Sequence, residues 1–337
     1  MNQRFLHYCL SSPWAMEPGA MSLFATMLAR GYAKHEGAMP FGAETASTRP
    51  VARTPSGRQQ GGIAMIRVYG PIVQRASQLG PCDGGIGAED IGAALTAAMN
   101  DETISQVILD VDSPGGSVFG ISELADQIRA ARAQKPIIGV ANSLAASAAY
   151  WLLSQCSEAY CTPSGQVGSI GVYGAHEDIS RALEEAGVSM TLVSAGRFKV
   201  EGNPFEPLGD EARANMQSDI DGYYRDFTRA VAQGRGVPEA AVRGRMGEGR
   251  TLRGDAAKAA GMIDGVMTFQ QVVRQMQARG AKGAGKPRAS QPGSSYSSAS
   301  HRSNQLALLE ATMSLPKSPT PRLNRARREL QLIGDGA

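Results

Sequence analysis

Val107-Ile108-Leu109-Asp110-Val111-Asp112-Ser113-Pro114-Gly115-Gly116-Ser117 decides the fold. Its first half is a short apolar run of the kind found in a parallel strand buried on both faces. Its second half breaks that strand: Pro114 fixes one dihedral, and Gly115 and Gly116 permit backbone shapes that other residues resist. A helix follows, with Val118, Ile121, Leu124, Ala125 and Ile128 recurring on one face. Strand, turn and helix in that order make one unit of an α/β sheet.

The same unit recurs on both sides. Upstream, Ile63-Ala64-Met65-Ile66-Arg67-Val68 reads as a strand and Ile86 to Met99 as an Ala-rich helix. Downstream, Pro136 closes the unit and Ile137-Ile138-Gly139-Val140 reads as the next strand, with Leu144 to Gln155 as an apolar helix. Met190-Thr191-Leu192-Val193 reads as a further strand. From Leu208 to Gln233, apolar residues at three- and four-residue spacing predict a long amphipathic helix. Alternating strands and helices imply a parallel sheet with helices on its faces, so the fold class is α/β.

The flanks read differently. Ser12-Pro13-Trp14-Ala15-Met16 opens a Met-rich stretch that reads as helical through Arg30, and Thr45 to Gly62 has linker composition. From Ala281 onward, Gly, Ser, Lys and Pro dominate, including Ser294-Ser295-Tyr296-Ser297-Ser298. That composition predicts a disordered tail. The expected organisation is a lead-in over 1–61, a main α/β domain over 62–280 and a tail over 281–337. The tail holds nine Lys/Arg against three Asp/Glu, a charge of +6 in a chain whose total is +3. A near-neutral body with a basic tail suggests a contact role for the tail and does not suggest a nucleic-acid enzyme. Cys9, Cys82, Cys156 and Cys161 have no metal-ligand or redox spacing, and Cys156 and Cys161 flank an expected buried strand. They read as free core thiols in a reducing cytosol. No signal peptide and no apolar run of membrane-spanning length is visible. No metal or cofactor motif is visible either, so no cofactor is expected.

Three segments could carry chemistry. Asp112 to Ser117 offers bare backbone N–H groups at a strand end, which suits a developing oxyanion, although a plain strand-to-helix turn would look the same. Asn142-Ser143-Leu144-Ala145-Ala146-Ser147-Ala148-Ala149-Tyr150 also follows a strand. Ser147 there has small neighbours that would let a substrate backbone approach, and a helix start that favours negative charge on its oxygen. The bland alternative is a packing serine. Ser143 is a rival that fits better as a cap. In Gly196-Arg197-Phe198-Lys199-Val200-Glu201-Gly202-Asn203-Pro204, Lys199 sits beside Phe198 and Val200. Desolvation would make its neutral amine a usable base for a serine hydroxyl; otherwise it is a solvated charge. His176 is the histidine of the main domain that could replace it.

In this order and spacing, Val111 to Gly116, Ala145-Ala146-Ser147, Gly168-Ser169-Ile170-Gly171-Val172 and Ser194 to Lys199 resemble the signal peptide peptidase A (protease IV) family. Gly254 to Asp264 resembles that family's closing helix-strand segment. The resemblance covers about residues 62 to 270. Gly168 to Val172 followed by Ala175-His176, Lys199 to Phe205, and the opening Ser12 to Met16 are similar to the phage branch, the head maturation (capsid assembly) proteases of lambda-like phages.

The resemblance implies a ClpP/crotonase-like fold and a serine endopeptidase with Ser147 as nucleophile and Lys199 as base. It implies an oxyanion hole from backbone N–H groups at Gly115 or Gly116 and at Ala148. The chain departs from the family at Ala148-Ala149, where cellular members have Gly-Gly. Substrate is expected to add a strand along an exposed edge near the Asp112–Gly116 turn. The phage branch implies scaffold, capsid and portal proteins as substrates or partners, the enzyme itself as a further substrate, a homo-oligomer, and a place in the host cytoplasm inside the procapsid. The alternatives are a cellular signal-peptide-clearing protease and an inactive structural head protein.

Overall fold

The structure, a computed structural model, describes residues 13–17, 49–52, 61–78 and 85–283. The chain divides into two units, Met1–Lys286 and Pro287–Ala337, and the second lies wholly outside the described residues. In chain order the described strands are β1 (Trp14–Met16), β2 (Arg49–Ala52), β3 (Gly62–Tyr69), β4 (Ile72–Val73), β5 (Ile86–Gly87), β6 (Ile104–Ser113), β7 (Gly115–Ser117), β8 (Ile137–Ala146), β9 (Glu158–Cys161), β10 (Gln166–Gly168), β11 (Thr251–Arg253) and β12 (Gly265–Val266). The helices are α1 (Ala88–Asn100), α2 (Ile121–Ala131), α3 (Ala148–Leu153), α4 (Ser180–Glu185), α5 (Asp210–Arg235), α6 (Glu239–Arg245), α7 (Gly254–Ala259) and α8 (Phe269–Gly283).

The apolar run Val107–Val111 is the middle of β6. It lies between β3 and β8 and pairs in parallel with both. β8 is long enough to serve two further partners: its first half pairs with β9 and its last three residues with β10. β2 and β11 lie antiparallel at the two ends of this path, and β12 extends the sheet beside β9. The α/β class with repeated strand-helix units is therefore present.

Strand alternation assigns the two faces. Ala64, Ile66, Val68, Val107, Leu109 and Val111 point into a core shared with α1, α2, α3 and α5. Trp151 of α3 stacks on Phe227 of α5 there, with ring centroids 4.6 Å apart and planes 8° off parallel. Ile63, Ile108, Ile138 and Val140 point the other way, against Val272 and Met276 of α8. Gln106 ties that helix down by donating Nε2–H to the Met276 carbonyl at 3.0 Å. Cys156 and Cys161 are free and buried, and burial pushes their thiols up to about 12 and about 11. Inert core thiols are what their spacing implied.

Four local readings are corrected. Trp14–Met16 is a strand rather than the start of a helix, because β7 and Tyr173 supply partners that a sequence window cannot see. Part of the expected linker, Arg49–Ala52, pairs with β3. Leu144 to Ala146 continue β8, so the apolar helix begins at Ala148. Met190 to Val193 form no strand, and Met190, Leu192 and Val193 are exposed by 48%, 42% and 95%. Nothing among the described residues pairs with this segment, and an isolated strand does not hold in water. The readings for the rest of the Met-rich stretch and for the tail from 284 onward lie outside the described residues.

Candidate active site

The turn after β6 is built from close approaches. Gly115 has φ +97°, and a Cβ there would stand 2.3 Å from the Ala15 carbonyl oxygen. A Cβ on Gly116 would stand 1.7 Å from the Ile72 carbonyl oxygen. The two glycines thus let β7 lie between β1 and β4. Gly115 N–H donates to Ser113 Oγ at 3.2 Å. Gly115 and Gly116 lie in a strand rather than in the turn that their composition suggests.

Ser147 sits where β8 turns into α3. Its backbone is at φ 53°, ψ −118°, a conformation that a non-glycine residue adopts only when its surroundings force it. One restraint is explicit: Ser147 N–H donates to the Gly168 carbonyl at 2.6 Å. Its Oγ donates to the Gly171 carbonyl at 3.3 Å. The side chain is only 1% exposed and adjoins Gly115, whose added Cβ would stand 3.0 Å from Ser147 Cβ. A strained strand-to-helix corner is one setting in which proteins place a nucleophilic serine. Ala148 is the first residue of α3, so its N–H has no partner within the helix. The positive φ of Ser147 was not legible in the sequence, because tertiary contact imposes it.

The structure brings Ser147, Ala148, Gly115 and Gly116 to one corner. Lys199 is not joined to them by a hydrogen bond among the described residues. It lies in a turn, its N–H donating to the Gly196 carbonyl at 3.2 Å, and it is exposed. Phe198 beside it is 51% exposed. The rivals lead elsewhere. Ser143 is exposed and donates its hydroxyl to the Asp112 carboxylate. The His176 ring bonds the Asn203 carbonyl at 3.0 Å through Nε2.

A polar layer continues β3, β6 and β8 toward this corner. Asp110 accepts from Tyr69 Oη at 2.5 Å and from Asn142 Nδ2 at 3.1 Å. Burial raises its carboxyl pKa, and those two bonds oppose the rise without cancelling it. On the far side, Asp264 forms a two-pronged pair with Arg235, at 3.0 and 2.9 Å, and accepts Ala159 N–H at 2.7 Å. Burial would raise the Asp264 pKa, but the Arg235 and Ala159 bonds outweigh it and hold it low.

Comparison with known proteins bears directly on this corner. Residues 129–282 match the model of Peptidase family S49, a span that includes Ser147, Ala148 and Lys199 and begins after Gly116. Over that span the chain is similar to this peptidase family. Over 215 residues, 64% of the chain, it is 38% identical to the Head-tail preconnector protein GP5 of Enterobacteria phage P21, covering 42% of that protein. Over the same length it is 35% identical to the Capsid assembly protease C of Escherichia phage lambda, covering 48%. The chain thus spans about half the length of the curated relatives it matches. Among solved structures, a point mutant of ClpP1 from Listeria monocytogenes aligns over 61% of this chain and 92% of its own, with a TM-score of 0.38 and 15% identity. No helix among the described residues is long and apolar enough to cross a membrane.

Proposed function

We propose that residues 62–280 form a serine endopeptidase domain in which Ser147 attacks the scissile carbonyl and Lys199 takes its proton. The observation that carries this reading is the forced backbone of Ser147, at φ 53° on the corner between β8 and α3 and against Gly115. The S49 match supports peptide-bond hydrolysis as the chemistry. The oxyanion is held by backbone N–H groups at Ala148 and at Gly115 or Gly116, an acyl-enzyme forms, and water releases it. No cofactor takes part.

Lys199 must be desolvated to act as a base near neutral pH. Within one chain it is exposed, and so are its neighbours Phe198, Leu192 and Val193. Exposed apolar side chains gathered on one segment favour burial against another copy. The active form is accordingly a homo-oligomer in which a neighbouring copy encloses the Lys199 segment and completes the site.

The similarity to two phage proteins, one called a capsid assembly protease, supports a role in phage head maturation. Substrates and partners are then scaffold, capsid and portal proteins and the enzyme itself, cut inside the procapsid in the host cytoplasm. The basic tail over 281–337 recruits the enzyme to the assembling shell. The test is coexpression of the unaltered chain or Ser147→Ala with the neighbouring head proteins, read by mass spectrometry. Fragments with the unaltered chain alone support the reading, and identical patterns from both would sink it.

A further inference from the structure

The edge of β7 expected to be open to substrate is occupied. Trp14–Met16 pairs with it antiparallel, matching Trp14 to Ser117, Ala15 to Gly116 and Met16 to Gly115. The pairing extends beyond the strand at both ends, with Glu17 N–H donating to the Pro114 carbonyl at 2.8 Å and Val118 N–H to the Pro13 carbonyl at 3.4 Å. The other side of the same segment is bonded as well: Trp14 N–H donates to the Tyr173 carbonyl at 2.9 Å, and Tyr173 N–H to the Trp14 carbonyl at 3.0 Å. An extended peptide is thus held on both sides, between the Gly115–Ser117 strand and the segment that follows Gly168-Ser169-Ile170-Gly171.

This peptide lies at the nucleophile. The place where a Cβ on Gly115 would stand is 2.3 Å from the Ala15 carbonyl oxygen and 3.0 Å from Ser147 Cβ. Trp14, Ala15 and Met16 are exposed by 1%, 0% and 2%. Along a strand, Trp14 and Met16 point to one side and Ala15 to the other. The cleft therefore encloses two large apolar side chains around a small one.

Building on Ser147 as the nucleophile, we propose that Pro13–Glu17 is an intramolecular occupant of the substrate cleft, and that the cleft selects extended peptides of the same large apolar, small, large apolar pattern. The backbone groups of β7 and Tyr173 can pair with one strand at a time. A substrate in another chain must displace the segment, so the segment restrains activity until it leaves.

The test uses the full chain carrying Ser147→Ala, so that nothing is cut, and a fluorescein-labelled peptide of sequence Ser-Pro-Trp-Ala-Met-Glu-Pro. Ala15→Pro removes the N–H that faces β7 while keeping Trp14 and Met16 in the sequence. Fluorescence anisotropy should show the peptide binding at least tenfold more tightly to the Ala15→Pro chain than to the chain with Ala15. A peptide in which Trp and Met are replaced by Ser should not compete. Equal affinity for both chains, or competition by the Ser-substituted peptide, would overturn the proposal. If Ala15→Pro loses its cooperative melt, Trp14→Ala/Met16→Ala serves in its place with the same expectation. Because these measurements do not need a reactive serine, they stand apart from the nucleophile assignment, which fluorophosphonate labelling of Ser147 tests separately.

Discussion

Ser147 donates its backbone N–H to the carbonyl of Gly168 at 2.6 Å, and this bond helps hold a serine at φ 53°. A serine forced into that region stores about 1–3 kcal/mol of strain. Glycine adopts such backbone conformations freely, so Ser147→Gly should raise thermal stability by about 1 kcal/mol after its greater unfolded-state entropy is counted. It should also abolish peptide hydrolysis. Calorimetry and a peptidase assay on the same preparation check the pairing. A clear drop in melting temperature would mean the corner is not strained.

Gly116 should tolerate no side chain. A Cβ would stand 1.7 Å from the Ile72 carbonyl oxygen, a backbone atom that moves only with β4. Gly116→Ala is expected to lose activity by about a hundredfold or more through displacement of a backbone donor. Gly187→Ala is a suitable contrast in the same assay. That residue has φ +70° but nothing within 4 Å of an added Cβ, so its cost should be confined to backbone strain. Comparable activity losses in the two variants would contradict the account.

The Arg235–Asp264 pair should make stability fall in acid. The Asp264 carboxyl is held below its usual value, so the pair's contribution is fully present above about pH 4, the unfolded value, and is lost as pH drops through the lower folded value. Arg235 is 8% exposed and Asp264 41%, so solvent screens part of the interaction. Asp264→Asn should cost about 1–3 kcal/mol at neutral pH, less than a fully buried pair would. The gap between the variant and the unaltered chain should close as pH falls below about 4 and through the lower folded value. Denaturant melts at several pH values measure it, and a gap that does not change would refute the assignment.

Asp110 should act in the opposite sense. Its pKa is raised, so the folded protein holds a proton that the unfolded chain has released, and stability falls as pH rises from about 4 through the folded value. Asp110→Asn keeps an acceptor for Asn142 and removes the titration. Relative to the unaltered chain it should gain stability as pH rises across that window. A variant that tracks the unaltered chain at every pH would show that Asp110 ionises normally.

Much of this molecule was legible in the sequence because local pattern and global fold agree there. The Val107–Val111 run, the Ile121–Ile128 face and the Leu208–Gln233 periodicity each became the strand or helix they indicate. Ser147 could be singled out because small residues surround it after a strand. What failed depended on partners far along the chain. Trp14–Met16 is extended only because β7 and Tyr173 accept it. Met190 to Val193 has strand composition, but no neighbouring strand is among the described residues. The φ of Ser147 reflects tertiary restraint, and no residue pattern encodes it.

The most direct test of the central claim is intact-mass and peptide mapping of the full chain after exposure to a fluorophosphonate, in parallel with Ser147→Ala and Lys199→Ala. The account predicts one phosphonyl adduct on Ser147 in the unaltered chain, none in Ser147→Ala, and labelling slowed by about a hundredfold or more in Lys199→Ala, the scale of a lost general base. Labelling of another serine, or an adduct that persists in Ser147→Ala, would contradict it.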